Sequence, residues 1–202
     1  MDALTLLSED HRKAEALLND FIGTPDAQTR KHIVDLAGRE LGAHAAAEEM
    51  SFYPKIKDRI DEGPHLIEES LKEHQEVKRV LAQLERVGSG DFDFERMVLE
   101  LVAGTRHHIA DEENRVFPKV KAAFSQDELE EMGKELERAK AMAPTHAHPM
   151  GPNQGVAAKI ADPVAGVMDK ARDALGRRPS KEQVREEIRE HRPDAVQREP
   201  HT

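Results

Sequence analysis

The chain has 202 residues, a net charge of −10 and no cysteine. That length suits one domain of ordinary size plus some extra chain, and the missing thiols exclude disulfides, thiol redox chemistry and cysteine-held iron–sulfur clusters. The negative charge repels phosphate backbones, so no nucleic-acid partner is expected. There is no long apolar run, and MDALTLLSEDHRK carries acid where a secretory signal has basic charge; no membrane contact is expected, and the compartment expected is the cytoplasm.

Residues 1–142 have helical periodicity and no convincing strand. A first helix is expected from the N-cap Ser8 to Gly23, with Ala14, Leu17, Leu18 and Phe21 on its apolar stripe and His11 on the same stripe. A second is expected from the Thr24 cap and Pro25, with the stripe Ile33, Ala37, Leu41, His44, Glu48; Pro54 should kink or end it. Gly63-Pro64 opens a third, with Ile67, Leu71, His74, Val77, Leu81 and Leu84. After the break Val87–Asp91, a fourth carries Phe94, Met97, Val98, Leu101, Thr105, His108, Glu112 and Val116 up to Pro118. A shorter helix starts at Ser125, with Glu128 completing a capping box.

Four amphipathic helices with short connections imply an all-α fold, an up-down-up-down four-helix bundle, with a short fifth helix and a largely flexible C-terminal tail. All seven aromatic residues lie between Phe21 and Phe124, and seven of the eleven prolines fall from Pro144 onward. The expected division is therefore a bundle over 1–142 and a linker with a partly helical or disordered tail over 143–202. In that tail, Thr145–Gly155 is expected to be a disordered linker, in preference to a stray metal site at His146 and His148. Short helices are expected from Asp162 to Gly176 and from Ser180 to His191. The tail offers a surface for a protein partner or for self-association.

Polar residues occupy stripes that otherwise face the core. HAAAEEMSFYPKIK (His44–Lys57) and HIADEENRVFPKVK (His108–Lys121) share one pattern at an offset of 64. Residues four apart on a helix differ by about 40° of rotation, so His44 and Glu48 share a face, as do His108 and Glu112. Such a pair is a two-point clasp for a transition metal. SEDHRKAEALL (Ser8–Leu18) resembles LKEHQEVKRVL (Leu71–Leu81) at an offset of 63, which superposes His11 on His74. The repeating unit is thus a helix pair with one histidine on its first member and His-x3-Glu on its second. Two such units about a pseudo-twofold axis would converge on a symmetric two-metal site, and charged carboxylates on a core-facing stripe need such a partner.

In this order and spacing, His11, His44-x3-Glu48, His74 and His108-x3-Glu112 resemble the hemerythrin-like HHE cation-binding domain over roughly residues 1–140. The resemblance implies two iron ions with an oxo or hydroxo bridge, one held by His11 and His44, the other by His74 and His108, with Glu48 and Glu112 bridging. Imidazole and carboxylate also suit manganese or zinc, less expected here. The resemblance implies a small-molecule ligand: O2, peroxide or NO, with a catalase-like reaction in oxidative or nitrosative stress defence as one form. The alternative is a non-enzymatic oxygen or iron sensor or carrier signalling through the tail. No residue is assigned a catalytic role. Oxygen-carrying hemerythrins place a second histidine four residues after the first on the third helix; here that position is Lys78, which leaves a free position and puts reversible oxygen transport in doubt. Ferritin-like di-iron bundles use Glu-x-x-His, and the one such spacing, Glu62 to His65, is interrupted by Gly63-Pro64.

Asp10 and Glu73 are candidates to accept from the outer ring nitrogens of the histidines. Glu49 and Glu113, turned about 100° from the bridging positions, suit that role or an interhelical salt bridge better than ligation. Glu15 lies one turn after His11 on the same side and could add a third carboxylate ligand, but its repeat counterpart is Lys78, which favours the surface. Tyr53 aligns with Phe117, which favours packing, although a phenol near iron can ligate it or carry a radical. His107, His32 and His65 are expected at the surface.

Overall fold

The computed structural model describes residues 1–143, and the tail segments from Thr145 onward lie outside the described residues. α1 spans Ala3–Gly23 and is capped by Asp2, whose side chain accepts from the Thr5 amide at 3.0 Å. It begins five residues before Ser8. Ala3 and Leu7 extend the buried stripe of His11 by two further turns, and Asp2 offers a cap where that stripe starts.

α2 spans Ala27–Ala47 with Asp26 as its cap, the carboxylate accepting from the Thr29 amide at 2.7 Å. Thr24, expected as that cap, serves α1 instead: its hydroxyl donates to the Asp20 carbonyl at 2.7 Å and its amide to the Phe21 carbonyl.

Pro54 neither ends nor breaks the second helix. The chain widens into one π turn over Glu48–Phe52 and continues as α3, Tyr53–Ile56. The same happens at the other repeat: α5 (Phe92–Asp111) passes through a π turn at Glu112–Val116 into α6, Phe117–Ala123, which carries Pro118 in its first turn. Proline lacks an amide donor and clashes with the carbonyl four residues before it. A turn with one extra residue just upstream accommodates both defects without loss of helix direction. Each π turn begins at Glu48 or Glu112, so the proline shapes the backbone that presents the glutamate.

Between the repeats, Glu62 turns the chain with φ 58°, and α4 runs Gly63–Leu84 with Pro64 in its first turn. Gly63 is required there, because any Cβ would collide with the Lys57 carbonyl. α7 spans Gln126–Met142 behind the expected Ser125–Glu128 capping box.

α1 packs on α2 and α4 on α5, and α7 lies across α1, α2 and the first π turn. The core is split. One cluster gathers Ala14, Leu18, Phe21, Ile33, Ala37, Leu81, Leu84, Phe94, Val98 and Leu101. The other gathers Leu7, Phe52, Ile56, Ile67, Val116, Phe117, Val120 and Leu136. Each long helix crosses from one cluster to the other at its histidine: Leu7 to Ala14 around His11, Leu41 to Ala47 around His44, Ile67 to Val80 around His74, and Leu101 to Val116 around His108. The bundle therefore has a polar slice between two apolar ends. Each fully buried Leu, Ile or Phe contributes about 1.5–3 kcal/mol, which offsets the cost of charge in the slice.

α7 approaches the start of the chain closely: a Cβ at Gly133 would run into the Met1 carbonyl, whereas one at Gly23 meets nothing within 4 Å. Gly133→Ala should lower the urea midpoint by a net amount worth about 1–2 kcal/mol, overpacking outweighing helix propensity. Gly23→Ala should be neutral or mildly stabilising. Equal midpoints for the two variants, followed by circular dichroism, would contradict this packing of α7.

Candidate metal centre

The six residues singled out by spacing all reach the polar slice, and all are buried. Glu48 and Glu112 are 0% exposed, and His11, His44, His74 and His108 are each at or below 6%. The imidazoles form two close pairs. His11 and His44 have ring centroids 4.9 Å apart, and His74 and His108 4.5 Å. His108 lies 6.3 Å from both His11 and His44. The Nε2 atoms of His74 and His108 are 3.1 Å apart.

The two carboxylates stand between the pairs. Glu48 Oε2 is 3.1 Å from His44 Nε2 and 3.3 Å from His74 Nε2. Glu112 Oε2 is 3.4 Å from His11 Nε2 and 3.9 Å from His108 Nε2. Two sets of these atoms are close enough to share an ion: His11, His44, His108 and Glu112, and Glu48, His74 and His108, with donor atoms within 4.8 Å of one another in each set.

A carboxylate stands behind the Nδ1 of each histidine, and three of the four are hydrogen-bonded to it. Glu113 holds His11 at 3.0 Å, Glu49 holds His74 at 2.9 Å and Glu73 holds His108 at 2.9 Å, while Asp10 faces His44 at 3.6 Å. Asp10 and Glu73, expected behind the histidines, are there, and Glu49 and Glu113 fill the matching places in the other half. The pairs follow the repeat, His11–Glu113 answering His74–Glu49 and His44–Asp10 answering His108–Glu73. Such partners orient the ring and direct Nε2 inward.

Lys78 is buried and donates to both oxygens of Glu49, at 2.7 and 2.9 Å. Its ammonium therefore faces the carboxylate behind His74. Glu15 is half-buried and belongs to no cation-capable group among the described residues. His65 and His107 are exposed, paired with Glu69 at 3.5 Å and Glu73 at 3.3 Å; His32 is half-buried.

Tyr53 corrects the packing expectation. Its ring stacks on His74, centroids 5.6 Å apart, just as Phe117 stacks on His11 at 5.8 Å. The alignment with Phe117 thus locates the ring correctly, but the hydroxyl enters the slice, donating to Glu112 Oε1 at 2.8 Å with Glu48 Oε2 and His74 Nε2 each 3.4 Å away. Burial and the Glu112 and Glu48 carboxylates push the phenol's pKa well above its usual value of 10.0, so at neutral pH it holds its proton.

Electrostatics make this a site for positive charge. Burial opposes ionisation of Glu48, yet His44 and His74 outweigh it and hold the carboxyl well below the usual 4.5. Burial also opposes charge on the histidines, and again the carboxylates win: Glu48 and Asp10 raise His44 to about 10, and Glu48 and Glu49 raise His74 to about 8. Even so, His11 Nε2, His44 Nε2, Glu48 Oε1 and Glu112 Oε2 are buried without a hydrogen-bond partner. Each such atom costs about 1–3 kcal/mol, and all four belong to the facing groups just described. Imidazole and carboxylate donors so placed fit first-row divalent cations.

Because His44 and His74 are raised above the unfolded value of 6.5, their stabilising contribution is complete below pH 6.5 and is lost as pH rises through about 8 and then about 10. Chelator-treated protein should therefore lose Tm between pH 7 and 10, and a flat profile would contradict the charge pattern. Lys78→Met should cost about 3 kcal/mol in urea unfolding, since it takes the ammonium from both oxygens of buried Glu49 and leaves only His74 facing that carboxylate. Adding Glu49→Gln should recover most of that loss; a strictly additive double variant would show that the pair is not coupled.

The family model of the hemerythrin HHE cation binding domain matches residues 2–120. An uncharacterized hemerythrin-like protein of Schizosaccharomyces pombe is 30% identical over 172 residues, 85% of either chain. A DNA nickase of Nostoc sp. is 26% identical over 140 residues, 69% of this chain but 39% of that protein. A crystal structure of a hemerythrin HHE cation-binding domain-containing protein from Mycobacterium kansasii has a TM-score of 0.61 at 22% identity, over 70% of this chain and 88% of the other, which is a likeness of fold.

Proposed function

This chain belongs to the hemerythrin HHE cation-binding family, and from that premise we propose that it is a non-haem di-iron protein that binds or reacts with O2, peroxide or NO. The observation that carries the proposal is the set of buried imidazole nitrogens and carboxylate oxygens that lack a hydrogen bond and face one another between two apolar clusters. His11 and His44 would hold one ion and His74 and His108 the other, with Glu48 and Glu112 available to both. Such redox-active cations would supply the electron exchange that disproportionation of peroxide to water and O2 requires.

The chain's own residues do the rest. Glu113, Glu49 and Glu73 keep the Nε2 atoms of His11, His74 and His108 aimed inward, and Asp10 faces His44 from 3.6 Å. Phe117 and Tyr53 cover a ring face in each half and keep bulk water from it. Tyr53 keeps a proton on its hydroxyl beside Glu112 and Glu48, the single hydroxyl donor pointed at these carboxylates among the described residues. Lys78 is engaged by Glu49 and offers no donor to the His74–His108 side. That side therefore has fewer protein donors than in an oxygen carrier, which supports reaction with a small ligand over its passive transport.

No described helix is long and apolar enough to cross a membrane. This chain spans 39% of the length of the Nostoc DNA nickase that it matches, and its net charge of −10 repels a nucleic-acid backbone.

Metal analysis of protein from iron-replete cells should give about two irons per chain, and Glu48→Ala or Glu112→Ala should lose iron and Tm together, because binding and folding are coupled. Retention of both irons by Glu48→Ala would remove it from its bridging place. O2 evolved from added peroxide, read with an oxygen electrode, supports the catalase-like form. Reversible spectral change with O2 or NO and no evolution supports the sensor or carrier form. Fully folded, iron-free protein from the same cells would sink both.

A further inference from the structure

Of the four carboxylates behind the histidines, Asp10 is the one held by a helix outside the bundle. Glu49 is held by Lys78 of α4 and Glu73 by His107 of α5. Asp10 is held by Lys140, which belongs to α7 and lies beyond the family match at 2–120. The Lys140 ammonium donates to both oxygens of Asp10, at 2.5 and 2.6 Å, with the two side chains 20% and 12% exposed. The consequence appears one step further in. Asp10 stands 3.6 Å from His44 Nδ1, whereas the other three carboxylates approach to 2.9–3.0 Å. Of the four rings, His44 alone has a buried Nδ1 without a hydrogen bond.

Resting on the cation-centre reading above, we propose that Lys140 is a positioning residue that competes with His44 for Asp10 and so loosens the His11–His44 half of the centre relative to the His74–His108 half. Two effects act in the same direction. With both oxygens engaged by the ammonium, Asp10 cannot close on Nδ1 and fix the ring, so His44 is the less firmly aimed ligand. The ammonium also adds positive charge beside a site for cations, which lowers their affinity. α7, docked through Leu129, Met132 and Leu136, is thereby tied energetically to one half of a centre that the repeat would otherwise make equal. By linkage, filling that half should in turn weaken the hold of Lys140 on Asp10.

The test uses the full chain and Co(II), whose visible absorption reports each equivalent bound. Wild type should bind two equivalents with unequal constants. Lys140→Gln should tighten the weaker one about tenfold, the low end of what partners behind a ligand typically contribute, and leave the stronger one unchanged; Lys140→Arg should restore the wild-type pattern. Glu135→Gln is the structural control, because Glu135 also ties α7 to the body through Lys55 at 2.7 Å but touches neither Asp10 nor His44. It should change neither constant. An unchanged or weakened second constant in Lys140→Gln, or the same shift in Glu135→Gln, overturns the proposal while leaving the centre standing. Failure of wild type to bind Co(II) would overturn the centre itself, and this inference with it.

Discussion

Two carboxylates with no solvent exposure, Glu48 and Glu112, impose the constraint on which the rest of the molecule depends. An isolated buried carboxylate is costly enough that a protein neutralises or pairs it. Here the pairing is done by four imidazoles drawn from four helices, so the charge that must be balanced also fixes how those helices meet. Without a cation, the carboxylates around His44 and His74 hold protons on those two rings, raising them to about 10 and about 8. A cation between the six side chains would replace those protons and satisfy the oxygens and nitrogens that lack a hydrogen bond. Binding and folding are in this sense one equilibrium.

Around that slice the architecture is arranged in shells of alternating charge. Carboxylates stand behind the imidazoles, and behind those carboxylates stand Lys78, Lys140 and His107. The shells are nearly symmetric because the sequence is duplicated, and the departures from symmetry give the two halves different properties. Tyr53 brings a hydroxyl where Phe117 brings only a ring. Lys78 answers Glu15 in the repeat and turns to Glu49 instead of the centre. Lys140 has no counterpart, since α7 follows only the second helix pair.

The long helices and the six polar residues at their centre were legible in the sequence because they depend on periodicity alone. A histidine on an apolar stripe, repeated at a constant offset, already says which way it points. The misplaced starts of α1 and α2 had local causes: several residues near each start can cap a helix, and Asp2 and Asp26 win because they sit where the buried stripe begins. The π turns were not foreseen, though proline six residues after each buried glutamate, Glu48 and Glu112, was a usable signal. Tyr53 was misjudged because an aligned phenylalanine speaks for the ring and says nothing of the hydroxyl. Lys140 left no trace in the pattern: its meeting with Asp10 spans 130 residues and exists only after α7 docks.

X-ray absorption at the iron edge of the loaded protein tests the central claim most directly. The account predicts a shell of nitrogen and oxygen scatterers with imidazole outer-shell features and, beyond it, a second iron as neighbour, both lost in Glu112→Ala. A mononuclear spectrum with no iron neighbour in fully loaded wild type would contradict it.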